Sequence, residues 1–256
     1  MSEHVLVETR GPVLHLRLNR PEKKNALTVE MYAAMADALA AAEDDPAVRA
    51  VLLSAEGDAF TGGNDLADFL QRPPTDDSSP VLRFLHALIG ASKPLVAAVN
   101  GLAVGIGTTL LLHCDLVYAG RSARFHLPFV SLGLVPEAGS SLLVPQRVGQ
   151  ARAAELLLLG EPFDAERALE MGIVSAVFPD ADLAEKAEER ALRLAAQPPA
   201  AVRATRALLR RADRAALQDQ MREESALFLE RLRSPEAREA MQAFLERRQP
   251  DFSRFH

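Results

Sequence analysis

The chain has 256 residues, 48% of them hydrophobic, 25% charged and 5% aromatic, with no Trp. That composition excludes a disordered chain and leaves room for a sizeable core, as one large domain or a core with an appended subdomain. The formal net charge of -6 supplies no broad basic field, so neither a nucleic-acid backbone nor an anionic membrane is an expected partner, and any anionic ligand must be met locally. The single cysteine, Cys114, excludes an internal disulfide and a cysteine zinc cluster. That cysteine usage makes a reducing cytoplasm the expected location, and Met1-Ser2-Glu3-His4 lacks the basic start and apolar core of a signal peptide, so a soluble protein is expected. The most apolar stretch, Gly101 to Leu112, falls well short of the roughly 20 residues needed to span a bilayer.

In chain order, Val13 to Leu18 alternates apolar residues with His15 and Arg17, the pattern of a half-buried strand closing a hairpin at Gly11-Pro12. Thr28 is placed to cap a helix whose face carries Met31, Met35, Ala38, Leu39 and Ala42 and which ends near Asp44-Asp45-Pro46. Val48 to Ser54 returns to strand character. Arg72 to Pro80 reads as a loop. A second unit follows, with Leu95 to Val99 as a buried strand, a Gly-rich turn at 101–107, a short apolar helix through Leu112 and a strand over Asp115 to Ala119. Strands alternating with helices predict an α/β core. From about residue 181 the pattern becomes helical, with breaks at Pro198-Pro199 and Ser234-Pro235. These changes divide the chain into a core over residues 1–196 and a helical subdomain over 197–256, packed on the core or on a neighbouring subunit.

Familiar chemistries are poorly matched. Gly101 to Gly107 lacks a following Lys-Ser or Lys-Thr, and Leu110 stands where a dinucleotide fingerprint needs Gly. Gly139-Ser140-Ser141 is outside a nucleophile-elbow frame. His4, His15, His86, His113, His126 and His256 offer no pair at metal-ligand spacing, so no metal site is expected. Two Gly-rich turns remain, Phe60-Thr-Gly-Gly-Asn-Asp65 and Asn100-Gly-Leu-Ala-Val-Gly-Ile-Gly107, each leaving a strand and entering a helix. Such turns aim backbone N–H groups at a common oxygen or serve only as tight packing turns, and turn chemistry alone leaves both readings open.

The ordered set of motifs resembles the crotonase (enoyl-CoA hydratase/isomerase) superfamily across nearly the whole chain. The matching segments are Asn19 to Thr28, Ala59 to Asp65, 100–107 with the following Cys114-Asp115, Phe125 to Gly139, Leu159-Gly160, Ala168 to Val174 and Phe244 to Phe252. The resemblance implies a crotonase-like spiral of ββα units with C-terminal helices that build homotrimers or dimers of trimers. It also implies an acyl-CoA thioester substrate and no separate cofactor, coenzyme A being carried by the substrate. By similarity the amides of Asn64 and Ile106 form an oxyanion hole. Asn64 and Ile106 are larger than the family's usual residues there, and are expected to reshape the acyl pocket. Lys24, Ala26, Leu27, Gly62, Gly63, Asp65, Leu66, Gly105, Thr109 and Phe129 are the implied substrate or CoA contacts. Arg20, Lys23 and Lys24 are candidates for the CoA phosphates, with surface solvation an equal reading for each charge. Asp65 has the place of a helix cap.

Family hydratases use two glutamates, and the corresponding positions here hold Thr109 and Phe129. A carboxylate appears instead at Glu137, where Δ3,Δ2-enoyl-CoA isomerases of the peroxisomal type carry their catalytic glutamate. The resemblance therefore implies an isomerase in which Glu137 shuttles a proton, ahead of a hydratase, dienoyl-CoA isomerase or thioester hydrolase, and ahead of a non-catalytic acyl-CoA-binding protein. Apolar neighbours Leu134, Val135 and Ala138 are expected to raise the Glu137 pKa, although a glutamate after Pro136 also suits the first turn of a helix from residue 138. His126 is expected to be a packed, hydrogen-bonded residue.

Overall fold

The computed structural model describes residues 2–74, 76, 78–212, 214–246 and 248–255. His256 and parts of two motifs, Thr75 and Asp77 of the 72–80 loop and Arg247 of the tail, lie outside the described residues.

The chain opens with the antiparallel hairpin β1 (Val5–Arg10) and β2 (Val13–Leu18). The expected half-buried alternation of β2 is corrected, since His15 is only 8% exposed and only Arg17 keeps appreciable exposure. The cause is a cover on the second face, where His15 lies 3.3 Å from Glu188. Helix α1 (Val29–Asp44) begins where the Thr28 hydroxyl accepts the Met31 N–H, and Met31, Met35, Ala38, Leu39 and Ala42 form its buried stripe. Strands β3 (Ala50–Ala55) and β4 (Ala59–Thr61) follow, then α2 (Leu66–Gln71) and α3 (Pro80–Gly90). The next unit has β5 (Leu95–Val99), β6 (Leu102–Val104) and α4 (Ile106–Thr109). The expected helix through Leu112 is thus one α-turn, tightened into a 3-10 turn over Leu110–His113 as the chain bends toward β7 (Leu116–Gly120). Next come β8 (Arg124–His126), α5 (Ser140–Val148), α6 (Gln150–Ala154), β9 (Phe163–Asp164), α7 (Ala165–Glu170) and β10 (Ala176–Phe178). The C-terminal helices are α8 (Leu183–Ala195), α9 (Pro199–Leu209), α10 (Arg214–Leu232) and α11 (Pro235–Glu246). Pro199 and Pro235 open α9 and α11, consistent with proline's tolerance in a first turn.

Two sheets result. The larger has order β1-β2-β3-β5-β7-β10 and is parallel beyond the first hairpin; the smaller has order β4-β6-β8-β9. Three consecutive strand pairs, β3 with β4, β5 with β6 and β7 with β8, each give one strand to each sheet. The chain therefore winds as a spiral, and the turns that leave β4 and β6 sit on the same edge.

The α9 helix is fastened to the core through the Asp115 carboxylate. Arg206 Nε donates to it at 2.7 Å, Arg210 at 2.9 Å and the Leu95 N–H at 2.8 Å. Arg206 and Arg210 also donate to the carbonyls of Ala91 and His113. The Cys114-Asp115 pair is thus a structural anchor, and burial pushes the Cys114 thiol up to about 12, leaving it without nucleophilic character. Among the described residues no helix is long and apolar enough to cross a membrane.

Candidate active site

The site starts from the parallel pairing of β4 with β6, in which Ala59 lies opposite Leu102 and Thr61 opposite Ala103. This register sets Gly62-Gly63-Asn64 beside Gly105-Ile106. The approach is close enough to require glycine twice. A Cβ on Gly63, whose φ is +90°, would stand 2.9 Å from the Val104 carbonyl oxygen, and one on Gly107 would stand 2.5 Å from the Thr61 methyl. The packing reading and the functional reading of these turns therefore describe one device: tight packing is what holds the amides together.

A third segment completes the first turn. Asn25 is fully buried; its amide nitrogen donates to the Glu56 and Ala59 carbonyls, and its Oδ1 accepts the Arg20 N–H at 2.7 Å. The chain from Lys24 to Leu27 is thereby laid along the turn, with Gly62 N–H donating to Lys24 O, Leu27 N–H to Gly63 O and Asp65 N–H to Leu27 O. Those bonds pass over Asn64, and among the described residues its N–H has no protein acceptor. Ile106 is the first residue of α4, where the N–H has no helical partner. Two unpaired amides thus stand on neighbouring turns, the arrangement that binds a developing oxyanion.

The side chains at these positions are accounted for separately. Ile106 is 3% exposed within the main core, which absorbs its bulk. Asn64 is held by the Tyr32 hydroxyl, which donates to its Oδ1 at 2.5 Å. Asp65 caps α2 by accepting the Asp68 N–H at 3.2 Å. Burial alone would raise its carboxyl, but the 2.8 Å bond from Arg20 and the helix N–H groups outweigh that and hold it below the usual range. Arg20 is spent on Asp65 and on the Ala26 carbonyl, which removes it from the phosphate candidates. Lys24 pairs at the surface with Asp58 at 2.5 Å, and Lys23 is exposed. Leu66 opens α2 and Gly105 precedes α4, as the motif spacing requires. Phe129 is 5% exposed and its carbonyl accepts the N–H of Leu132 and of Leu134, a role in shaping the loop. His126 Nε2 donates to the Gly160 carbonyl at 2.7 Å, and its own carbonyl takes the Gly105 N–H, so it supports the second turn from behind.

Glu137 meets α4 at its last residue, Thr109. The alternative place for it, the first turn of a helix from residue 138, is not what forms: α5 starts at Ser140, and Ala138 and Gly139 adopt left-handed φ values of +58° and +71°. The Thr109 hydroxyl donates to Glu137 Oε1 at 2.5 Å. Thr109, at a position where family hydratases carry an acid, here holds the carboxylate on the neighbouring loop. Glu137 keeps part of its surface accessible, yet protein surrounds it on every other side. Burial pushes its carboxyl up to about 8, against the lowering effect of the Thr109 bond and with a further raise from the Glu224 charge. Tyr32 senses the same carboxylate: burial, then Glu137, raises its phenol well above the ordinary value. Thr109, Glu137, Tyr32 and Asn64 thus form one polar cluster, and a raised carboxyl within it is suited to taking and returning a proton near neutral pH.

The importance of Thr109 can be measured. In Thr109→Val the carboxylate loses a donor, so the Glu137 pKa rises and the acid limb of the pH–rate profile moves to higher pH. Turnover at pH 7 should fall about 10-fold, the worth of one hydrogen bond to a charged group. A profile unmoved by the substitution would show that the bond has no role in proton transfer.

Tyr32, Asn25 and Glu224 were not singled out from sequence. Tyr32 did carry a signal, a phenol inside an apolar helical stripe that needs a buried partner. Glu224 shared it, being a carboxylate in register with Leu217, Met221 and Phe228 on one face of α10.

Known proteins of one family match the chain over nearly its whole length. The family model described as enoyl-CoA hydratase/isomerase matches residues 8–254. "Enoyl-CoA delta isomerase 2" of Rattus norvegicus is 38% identical over 96% of this chain, which spans 64% of that longer protein. "2,3-dehydroadipyl-CoA hydratase" of Escherichia coli (strain K12) is 36% identical over 98% of this chain and 99% of its own length. Among solved structures, an enoyl-CoA hydratase/isomerase from Pseudoalteromonas atlantica T6c superposes with a TM-score of 0.93 at 46% identity, covering 98% of this chain and 100% of the other. The chain belongs to the enoyl-CoA hydratase/isomerase family, the crotonase superfamily.

Proposed function

We propose that the protein moves the double bond of a 3-enoyl-CoA ester to give the trans-2-enoyl-CoA. The observation that carries this reading is the bond from Thr109 to Glu137: one carboxylate is held on α4, the helix that starts at the Ile106 amide, and a hydroxyl occupies the place of a hydratase acid. The thioester oxygen binds the Asn64 and Ile106 amides, which take up the negative charge when Glu137 removes a proton from C2. The same carboxyl, now protonated, returns the proton to C4. One group with a pKa near the working pH serves both halves, whereas hydration needs a second acid–base group to activate water.

A panel of 3-enoyl-CoA esters of graded length, assayed for 2-enoyl product, tests the reading directly. Crotonyl-CoA converted efficiently to 3-hydroxybutyryl-CoA would favour a hydratase instead, and tight CoA-ester binding without turnover would favour a binding protein. The exposed apolar residues Leu158, Leu159, Leu208, Leu209 and Phe244 support assembly into the homotrimer or hexamer that the family resemblance implies.

A further inference from the structure

We infer that Glu224, on the C-terminal helix α10, is a positioning residue that holds the Glu137 loop in its working conformation and sets the electrostatic field in which Glu137 exchanges its proton. The inference rests on Glu137 being the base.

The loop needs an outside hold. Ala138 sits at φ +58°, a region that costs a residue with a Cβ about 1–2 kcal/mol, and Gly139 follows at +71°. Such a pair of residues persists only where its surroundings over-determine it. Glu224, 4% exposed, supplies the largest share. Its Oε2 accepts the Gly139 N–H at 2.6 Å, and its Oε1 accepts both the N–H and the hydroxyl of Ser141, at 2.8 and 2.5 Å. Gln220, one turn earlier on α10, donates to the same Ser141 hydroxyl at 2.9 Å. From the core side, His113 Nε2 lies 2.7 Å from the Ala138 carbonyl. Burial lowers the His113 pKa to about 4, so the ring is neutral and donates from Nε2. The Ser140 hydroxyl closes the loop onto the Glu137 carbonyl at 2.6 Å.

Glu224 therefore caps the N-terminus of α5 from another helix, and does so two residues from the reacting carboxyl. Both of its oxygens are occupied, so it does not compete for the substrate proton. The groups that face Glu137 are Tyr32 from α1, Thr109 from α4 and Glu224 from α10; Glu223 is the further charge acting on Glu224. Of these, Glu224 alone places a like charge on Glu137, and like charge favours the protonated form. The C-terminal helices are thus part of the catalytic apparatus and not only a packing layer.

The test is the pH dependence of 3-enoyl-CoA isomerisation by wild type, Glu224→Gln and Glu137→Gln. Gln is isosteric but uncharged, and its amide nitrogen cannot accept from one of the two backbone donors. Expected for Glu224→Gln are a kcat about 10-fold lower, KM within about threefold of wild type, and an acid limb displaced to lower pH. An acid limb that stays in place overturns the proposal whatever happens to kcat. If Glu224→Gln does not fold, Glu224→Asp keeps the charge and withdraws the carboxylate from Gly139 and Ser141. A kcat loss at unchanged KM then supports the proposal, and wild-type kcat overturns it. Full turnover by Glu137→Gln would instead remove the base on which the inference stands, a failure distinct from an unmoved limb in Glu224→Gln.

Discussion

Glu137→Gln should lose about 10³-fold in kcat for 3-enoyl-CoA isomerisation while the folded protein becomes more stable at neutral and alkaline pH. On the proposed mechanism the loss follows from removing the group that takes and returns the proton, a contribution typically of 10²–10⁴. The gain follows from the same feature that makes Glu137 useful. Its carboxyl moves from 4.5 in the unfolded chain to about 8 in the fold because its surroundings disfavour the charged form. A folded pKa raised in an acid is a penalty on the ionised protein. It is absent below the unfolded pKa, grows between pH 4.5 and about 8, and is complete above that. The full shift corresponds to at most ~5 kcal/mol, and partial solvent access reduces the expected value to ~2 kcal/mol. Gln keeps the shape and accepts the Thr109 hydroxyl without the charge. Thermal unfolding of the two proteins should therefore coincide near pH 4 and diverge as the pH rises, with the variant melting higher. Equal turnover would refute the proton-shuttle assignment, and melting curves that stay parallel at every pH would refute the buried-carboxylate account.

Much of this arrangement is legible in the sequence, and what is not has a physical reason. The helix of Met31 to Ala42, the strand Leu95 to Val99 and the two glycine turns follow from local periodicity and turn chemistry, which act over a few residues. The absence of acids at Thr109 and Phe129 and the presence of Glu137 are visible once the motifs are aligned with the family. Contacts made through the spiral are not visible. That Thr109 bonds to Glu137, that Tyr32 bonds to Asn64 and that Glu224 bonds to Gly139 are pairings across 28, 32 and 85 residues. Each is fixed by which strands neighbour which, a property of the whole sheet order. The strand β2 shows the same limit, since its alternation predicted a wet face that α8 covers. His15 and Glu224 are polar residues on buried surfaces, and in both cases a tertiary partner overrides the pattern that local hydrophobicity suggests.

The oxyanion turns offer the other large test, because their function depends on a contact that one methyl group would break. In Gly63→Ala the new Cβ would stand 2.9 Å from the Val104 carbonyl oxygen, at a residue whose φ of +90° already disfavours a side chain. Both elements that would have to yield are backbone, the first turn itself and the end of β6, so neither can rotate away. The first turn must lift off the second, carrying the Asn64 amide with it, and one displaced donor of this kind typically costs ~10²–10³ in kcat. Stability should fall too, by about 1–3 kcal/mol, through strain at the substituted residue and the bonds that tie Gly63 to Leu27 and Thr61. Loss of activity by general unfolding is separated from loss of the amide by Gly11→Ala. Gly11 also has positive φ, +55°, but a Cβ there meets nothing within 4 Å, and it turns the hairpin of β1 and β2, which contributes neither amide turn. The control should lose about 1 kcal/mol and keep its turnover. If Gly63→Ala, folded at the assay temperature, also keeps full turnover, the thioester oxygen is not held by these two turns and the enolate must be stabilised elsewhere.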